Sequence, residues 1–231
     1  MRLDQYVSSS SPLSRKEAKR AIMAGRIRVN GPPCKLARQQ VQEHDEVLFD
    51  GAPLTLPGES YLMINKPAGT LSATTDSDQP TVLDLLPPEL AAGLHVVGRL
   101  DKDTTGLLLL TTDGQWSHTV TSPRRECPKC YRVDLAEPLT EQSRQQLEQG
   151  VMLKGESART RPAAVAELSG RQILLTIHEG RYHQVKRMLA AVGNHVTGLH
   201  RQSIGSIALD PDLPAGGYRH LTQAEIDAVA G

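Results

Sequence analysis

Aromatic side chains are scarce, at one Phe, one Trp and five Tyr, so Leu, Val, Ile and Ala must supply most of any core. Cysteine is scarcer still. Cys34, Cys127 and Cys130 form an odd and sparse set, which argues against a disulfide framework and fits a reducing cytoplasm. No uninterrupted apolar run is long enough to span a bilayer. The N-terminal stretch MRLDQYVSSSSPLSRKEAK lacks the apolar core of a signal peptide. A soluble cytoplasmic protein with no membrane partner is expected. There is no G-x-S-x-G elbow and no Gly-rich phosphate loop, which removes the common hydrolase and nucleotide-binding readings. Internal repeats and low-complexity stretches are also missing.

Net charge is absent too, with 26 basic residues against 26 acidic ones. The sum hides a segregation. Arg15, Lys16, Lys19, Arg20, Arg26, Arg28, Lys35 and Arg38 crowd into positions 15–38, opposed there only by Glu17. Glu43, Asp45, Glu46 and Asp50 then gather the acids. Ser14 and Glu17 have the spacing of a capping box, and Gly25 suits the position just past a helix end. On that helix Ala18, Ala21 and Ile22 share one face, while Arg15, Lys16, Lys19 and Arg20 occupy the other. Arg26-Ile27-Arg28-Val29 alternates like a strand and runs into an Asn30-Gly31 turn. A second strand, Glu46 to Phe49, ends at Asp50-Gly51. Gly51 to Ser60, with Pro53, Pro57 and Gly58, reads as a linker. A cationic helix face is often only a solvated surface. Cations on the adjacent strand as well would suit a phosphate backbone.

The chain is long enough for one substantial core plus a small accessory domain. Residues 1–58 form the first segment and 59–231 the second. In the second, Tyr61 to Ile64 is a short strand ending at Asn65-Lys66-Pro67. Leu107 to Leu110 has the character of a buried strand. Thr140 to Gln149 reads as a helix stopped by Gly150. Ala163 to Leu168 and Gln172 to Ile177 read as strands. Val185, Met188, Leu189 and Val192 keep helical spacing up to Gly193, and Thr222 with Glu225 caps a last helix. Strands and helices do not alternate regularly, so the fold class is α+β.

The most informative run is Val97 to Leu107, Val-Gly-Arg-Leu-Asp-Lys-Asp-Thr-Thr-Gly-Leu. It sets two carboxylates beside cations, directly before the buried strand. Such a carboxylate is well placed for chemistry. By residue type alone it fits a polar turn or cap equally well. Cys127-Pro128-Lys129-Cys130 suggests a zinc pair, but a structural site needs four ligands and no second pair has the spacing, so no metal is expected.

G-R-L-D-x-x-T-x-G-L, from Gly98 to Leu107, resembles the signature of the RsuA family of pseudouridine synthases. Three further runs resemble its other motifs in the same order. They are Asn65-Lys66-Pro67 with Gly69, Lys129-Cys130-Tyr131, and Glu179 to Met188 (E-G-R-Y-H-Q-V-K-R-M). Ser14 to Gly31 is similar to the S4 RNA-binding domain. Together these resemblances span nearly the whole chain. They imply a small S4 domain followed by a larger catalytic domain with a mixed, largely antiparallel sheet.

The resemblance also implies the reaction. A uridine is detached from its sugar at N1, rotated and rejoined through C5, with no cofactor. It makes Asp101, rather than Asp103, the catalytic aspartate, and Tyr131 the active-site tyrosine. Lys186 is the expected cationic partner of Asp101, since it borders the Val185/Leu189 stripe whereas Arg187 points nearly opposite. Arg99 would fill the space the base leaves. RNA or base contacts are expected from Arg15, Lys16, Lys19, Arg20, Arg26 and Arg28. The catalytic segment adds Lys66, Lys129, His183, Gln184 and Arg187. The first step stays open between attack at C1′ and removal of the C2′ proton. The expected partner is 16S ribosomal RNA or a small-subunit assembly intermediate, bound by a monomer. Large-subunit RNA, or a non-catalytic ribosome-assembly role, is the alternative.

Overall fold

Ser14 opens the first basic helix as its composition dictates. Its hydroxyl accepts from Glu17 N–H at 3.3 Å, and Glu17 accepts in return from Ser14 N–H at 2.8 Å. The computed structural model describes residues 1–42, 44–56 and 58–230, so Glu43, Pro57 and Gly231 lie outside the described residues. Two compact units emerge, Met1–Glu59 and Ser60–Gly231.

In the first unit, helices α1 (Leu3–Ser9) and α2 (Arg15–Met23) accompany a three-stranded antiparallel sheet, β1 (Ile27–Val29), β2 (Val47–Phe49) and β3 (Ala52–Pro53). Ala18, Ala21 and Ile22 are buried with Leu3, Val7, Ile27 and Val47, which is the apolar face read from the helical spacing. Gly25 follows the helix at φ +76°, a conformation that costs a glycine little. The stretch read as a linker differs in its first part. Asp50-Gly51 makes a tight turn with both residues at positive φ, and Ala52–Pro53 adds a strand to the sheet. Pro53 is tolerated because β3 is an edge strand.

The second unit is built on a nine-stranded mixed sheet. Its strands are β4 (Tyr61–Lys66), β5 (His95–Val97), β6 (Thr105–Thr111), β7 (Lys129–Leu135), β8 (Ala164–Ser169), β9 (Gln172–Ile177), β10 (Val196–Ile204), β11 (Ile207–Ala208) and β12 (Tyr218–His220). The main path runs β12-β4-β6-β10-β7-β9-β8, with β5 on β6 and β11 on β10. Among these strands only β6 and β10 pair in parallel. Helices α3 (Pro88–Ala91), α4 (Gly114–Thr121), α5 (Glu141–Gln149), α6 (Gln184–Ala191) and α7 (Gln223–Ala230) complete it.

Leu107 to Leu110 are fully buried, because the unit packs apolar side chains on both faces of β6. Leu108 and Leu110 join one cluster and Leu107 and Leu109 another, as the two-residue period of a strand requires. Gly106 is obligatory at the parallel pairing. A Cβ there would lie 2.3 Å from the Arg201 carbonyl oxygen, and its φ is +101°. Strand β4 runs through Asn65 and Lys66 rather than stopping before them, since both continue the ladder with β6.

Candidate active site

The loop from Gly98 to Thr104 joins β5 to β6, two antiparallel neighbours, and Asp101 sits in its middle. Alternate carbonyls of this loop are gripped from within. Arg201 Nη2 donates to Gly98 O at 2.6 Å. Ser72 Oγ donates to Leu100 O at 2.8 Å and accepts from Leu100 N–H at 3.1 Å. Gly69 N–H donates to Lys102 O at 2.8 Å. Lys66 Nζ donates to Lys102 O at 3.1 Å and Thr104 O at 2.8 Å, and also to Pro67 O at 3.0 Å. Arg99 and Asp103 are exposed and Asp101 is half-buried. The even-numbered backbone is anchored, and the odd-numbered side chains are presented.

Lys66 was expected among the RNA contacts. It is instead fully buried, with its ammonium spent on three carbonyls of the site's own backbone. Burial pulls its pKa down to about 8, against the opposing pull of Asp103 and Asp101 and with a further push from Arg201. The sign for stability follows. Between pH 8 and its ordinary 10.5 the folded chain has released a proton that the unfolded chain keeps. Stability therefore gains from this group as pH rises through that window, and loses that gain as pH falls through 8. In Lys66→Met the contribution vanishes, so the variant's melting temperature should rise less than the wild type's between pH 8 and 10.5. Parallel curves across that window would contradict this assignment.

Helix α6 brings Lys186 to the loop. Lys186 Nζ lies 3.2 Å from Asp101 Oδ2, and 2.7 and 2.9 Å from the two Asp103 oxygens. The ammonium thus bridges both carboxylates, and Asp103 takes the shorter contacts. Burial would lower the Lys186 pKa, but the two carboxylates together raise it. The Lys186 hydrogen bond holds the Asp103 carboxyl below its ordinary value. His183 Nε2 stands 3.4 Å from Asp101 Oδ1, on a backbone at φ +47°.

Asp101, Lys186 and His183 line a cavity of about 700 Å³, and Tyr131, on β7, is buried in its wall. Sequence reading missed the residue behind it. Arg201 is a buried guanidinium on β10 with no carboxylate partner among the described residues. It donates to Leu107 O at 2.8 Å and to Gly98 O, and its Nη1 lies 3.5 Å from the Tyr131 hydroxyl. One side chain therefore ties the tyrosine strand to the start of the aspartate loop. Nothing local in the sequence signals this role, because the parallel pairing that sets Arg201 opposite Gly106 is made by the fold.

Other expected contacts are placed differently. Arg99 lines the cavity, and its side chain makes no hydrogen bond or ion pair with the described residues. Lys129 also lines it, with Nζ on Cys127 O at 2.9 Å, and burial lowers its pKa. Gln184 is buried and braces its own loop, accepting from Arg181 N–H at 2.8 Å and donating to Glu179 at 3.0 Å. Arg187 is held by Glu156 and by the carbonyls of Tyr182 and Lys154. In the first unit Arg15 and Lys19 flank the buried Asp4 at 3.5 and 3.8 Å, and Arg26 pairs with Asp50. Burial pushes the Asp4 carboxyl up, yet Arg2 and Arg15 hold it below its ordinary value. Arg28 donates to Gly31 O at 3.3 Å, while Lys16 and Arg20 are exposed.

Residues 60–191 match the family model described as RNA pseudouridylate synthase. This chain belongs to that family. Residues 1–47 match the S4 domain. The synthase is 48% identical to ribosomal small subunit pseudouridine synthase A of Escherichia coli (strain K12), over 99% of this chain and 100% of that one. It is 46% identical to the protein of the same name from Haemophilus influenzae, over 98% of each. A solved pseudouridylate synthase superposes with a TM-score of 0.73 at 44% identity, over 99% of both chains. Among the described residues of the synthase, no group of three or more His, Cys, Asp or Glu could hold a metal ion. Among the described residues no helix is long and apolar enough to cross a membrane.

Proposed function

We propose that the synthase converts one uridine of 16S ribosomal RNA, the position conventionally numbered 516, to pseudouridine, with Asp101 as the catalytic carboxylate. The observation that carries the chemistry is the half-buried Asp101 on a loop clamped through alternate carbonyls, paired to Lys186 at the edge of a nucleotide-sized cavity. The substrate follows from end-to-end identity with relatives named for the small subunit.

The target base leaves its stack and enters the cavity, at a cost lowest in an open RNA loop. Arg99 is exposed and has no hydrogen-bond or ion-pair partner among the described residues, which leaves it able to fill the vacated space. The N1–C1′ bond breaks, the uracil turns, and C5 joins C1′. The C5 hydrogen goes to solvent and N1 gains a proton, so the change is an isomerisation. Attack at C1′ and removal of the C2′ proton both begin from the Asp101 carboxylate. Tyr131 packs against the base and helps move the C5 proton. Lys129, His183 and the cations Lys16, Arg20 and Arg28 contribute RNA contacts, with Arg15, Lys19 and Arg26 adding to the positive surface of their unit.

The test offers the purified synthase unmodified 16S and 23S transcripts and small-subunit assembly intermediates, with pseudouridines mapped afterwards. One new pseudouridine in 16S RNA is expected, and none in 23S. Modification confined to 23S would overturn the substrate. Tight RNA binding with no pseudouridine in any of them would favour a non-catalytic role in assembly.

A further inference from the structure

Tyr182 is 77% exposed, more than any other large apolar side chain among the described residues. It lines the mouth of the catalytic cavity. Its ring stacks on His183, with centroids 3.9 Å apart and planes 17° from parallel. His183 in turn reaches Asp101. The Tyr182 ring is thus one ring away from the catalytic carboxylate, with its outer face open to solvent.

The surrounding backbone is braced. Arg187 holds the Tyr182 carbonyl at 3.0 Å. Arg181 is fixed by Glu156, Glu179 and the carbonyls of Ala158 and Arg159. Gln184 closes the turn on Arg181 N–H. Several buried or half-buried side chains therefore hold rigid a ring that is itself left in water. Burial in the fold gives no reason for this, whereas presentation to a flat ligand does.

We propose that Tyr182 is a stacking platform for an unpaired nucleobase next to the target uridine. This rests on the reading of the site as an RNA isomerase. When a uridine flips out, its neighbours lose a stacking partner, and an aromatic face beside the cavity replaces it. Such a face accepts any base, so it adds affinity and holds the strand in register rather than reading sequence.

Binding of the full chain to a labelled 16S fragment containing the target uridine tests this by fluorescence anisotropy. Tyr182→Leu should weaken binding by about tenfold, the size of one base–aromatic stack. Tyr182→Phe, which keeps the ring, should bind within about twofold of wild type. The Leu penalty should vanish on one of two RNAs carrying an abasic site 5′ or 3′ of the target. A Leu variant that binds like wild type, an equal loss in Tyr182→Phe, or a penalty persisting on both abasic RNAs would overturn the platform. Pseudouridine formation by wild type on the same fragment is scored separately. Its absence would overturn the isomerase reading, and the binding contrasts would still decide the role of Tyr182.

Discussion

Asp101→Asn is expected to abolish pseudouridine formation, a loss of at least about 10⁴-fold in kcat. RNA affinity should stay within about threefold, because phosphate contacts elsewhere carry most of it. The amide keeps the size and polarity of the side chain but neither attacks carbon nor takes a proton. Asp101→Glu keeps the charge and moves it by one methylene. A displacement of about 1 Å is enough to cost about 10²-fold when the loop cannot adjust. This loop has little room to adjust, since Arg201, Ser72, Gly69 and Lys66 grip its carbonyls. Asp103→Asn should slow the reaction far less than Asp101→Asn, because the Asp103 carboxylate is exposed and its main contact is Lys186. Single-turnover rates and binding on the same 16S fragment check all three variants.

Lys186→Met is the second large effect. The ammonium stands between two carboxylates, at 3.2 Å from Asp101 and 2.7 Å from Asp103. Removing it leaves two like charges without a shared partner, and the repulsion disfavours the charged pair and its placement. A fall in kcat of about 10²- to 10³-fold is expected, with KM changed by about threefold or less. Lys186→Arg should recover part of the rate, since charge is kept while the compact ammonium geometry is lost. A Lys186→Met enzyme with wild-type kcat and a raised KM would make Lys186 an RNA contact only.

What the sequence made legible was local. The Ser14–Glu17 box and Thr222 with Glu225 are caps whose donors and acceptors lie three residues apart. The apolar faces of α2 and α6 follow from helical spacing, and β9 has the bounds read from its sequence, Gln172–Ile177. Edges that depend on distant partners were not legible. Strand β4 continues through Lys66 because β6 lies beside it, and Ala52–Pro53 becomes a strand because β2 does. The same holds at the site. Asp101, Tyr131 and Lys186 sit in recognisable runs, and the fold brings them to one cavity. Arg201 reaches that cavity across 94 residues of chain from Leu107, through a parallel pairing without local signal. Lys66 looks like a surface cation in its Asn-Lys-Pro setting, and only the packed loop shows its amine turned inward.

Tritium release from 16S RNA labelled at uridine C5 tests the central claim most directly, because C5 gives up its hydrogen only when the new bond to C1′ forms. The wild-type chain should release one tritium per RNA and then stop, and Asp101→Asn should release none. Release by Asp101→Asn at the wild-type rate, or none from the wild type, would contradict the account.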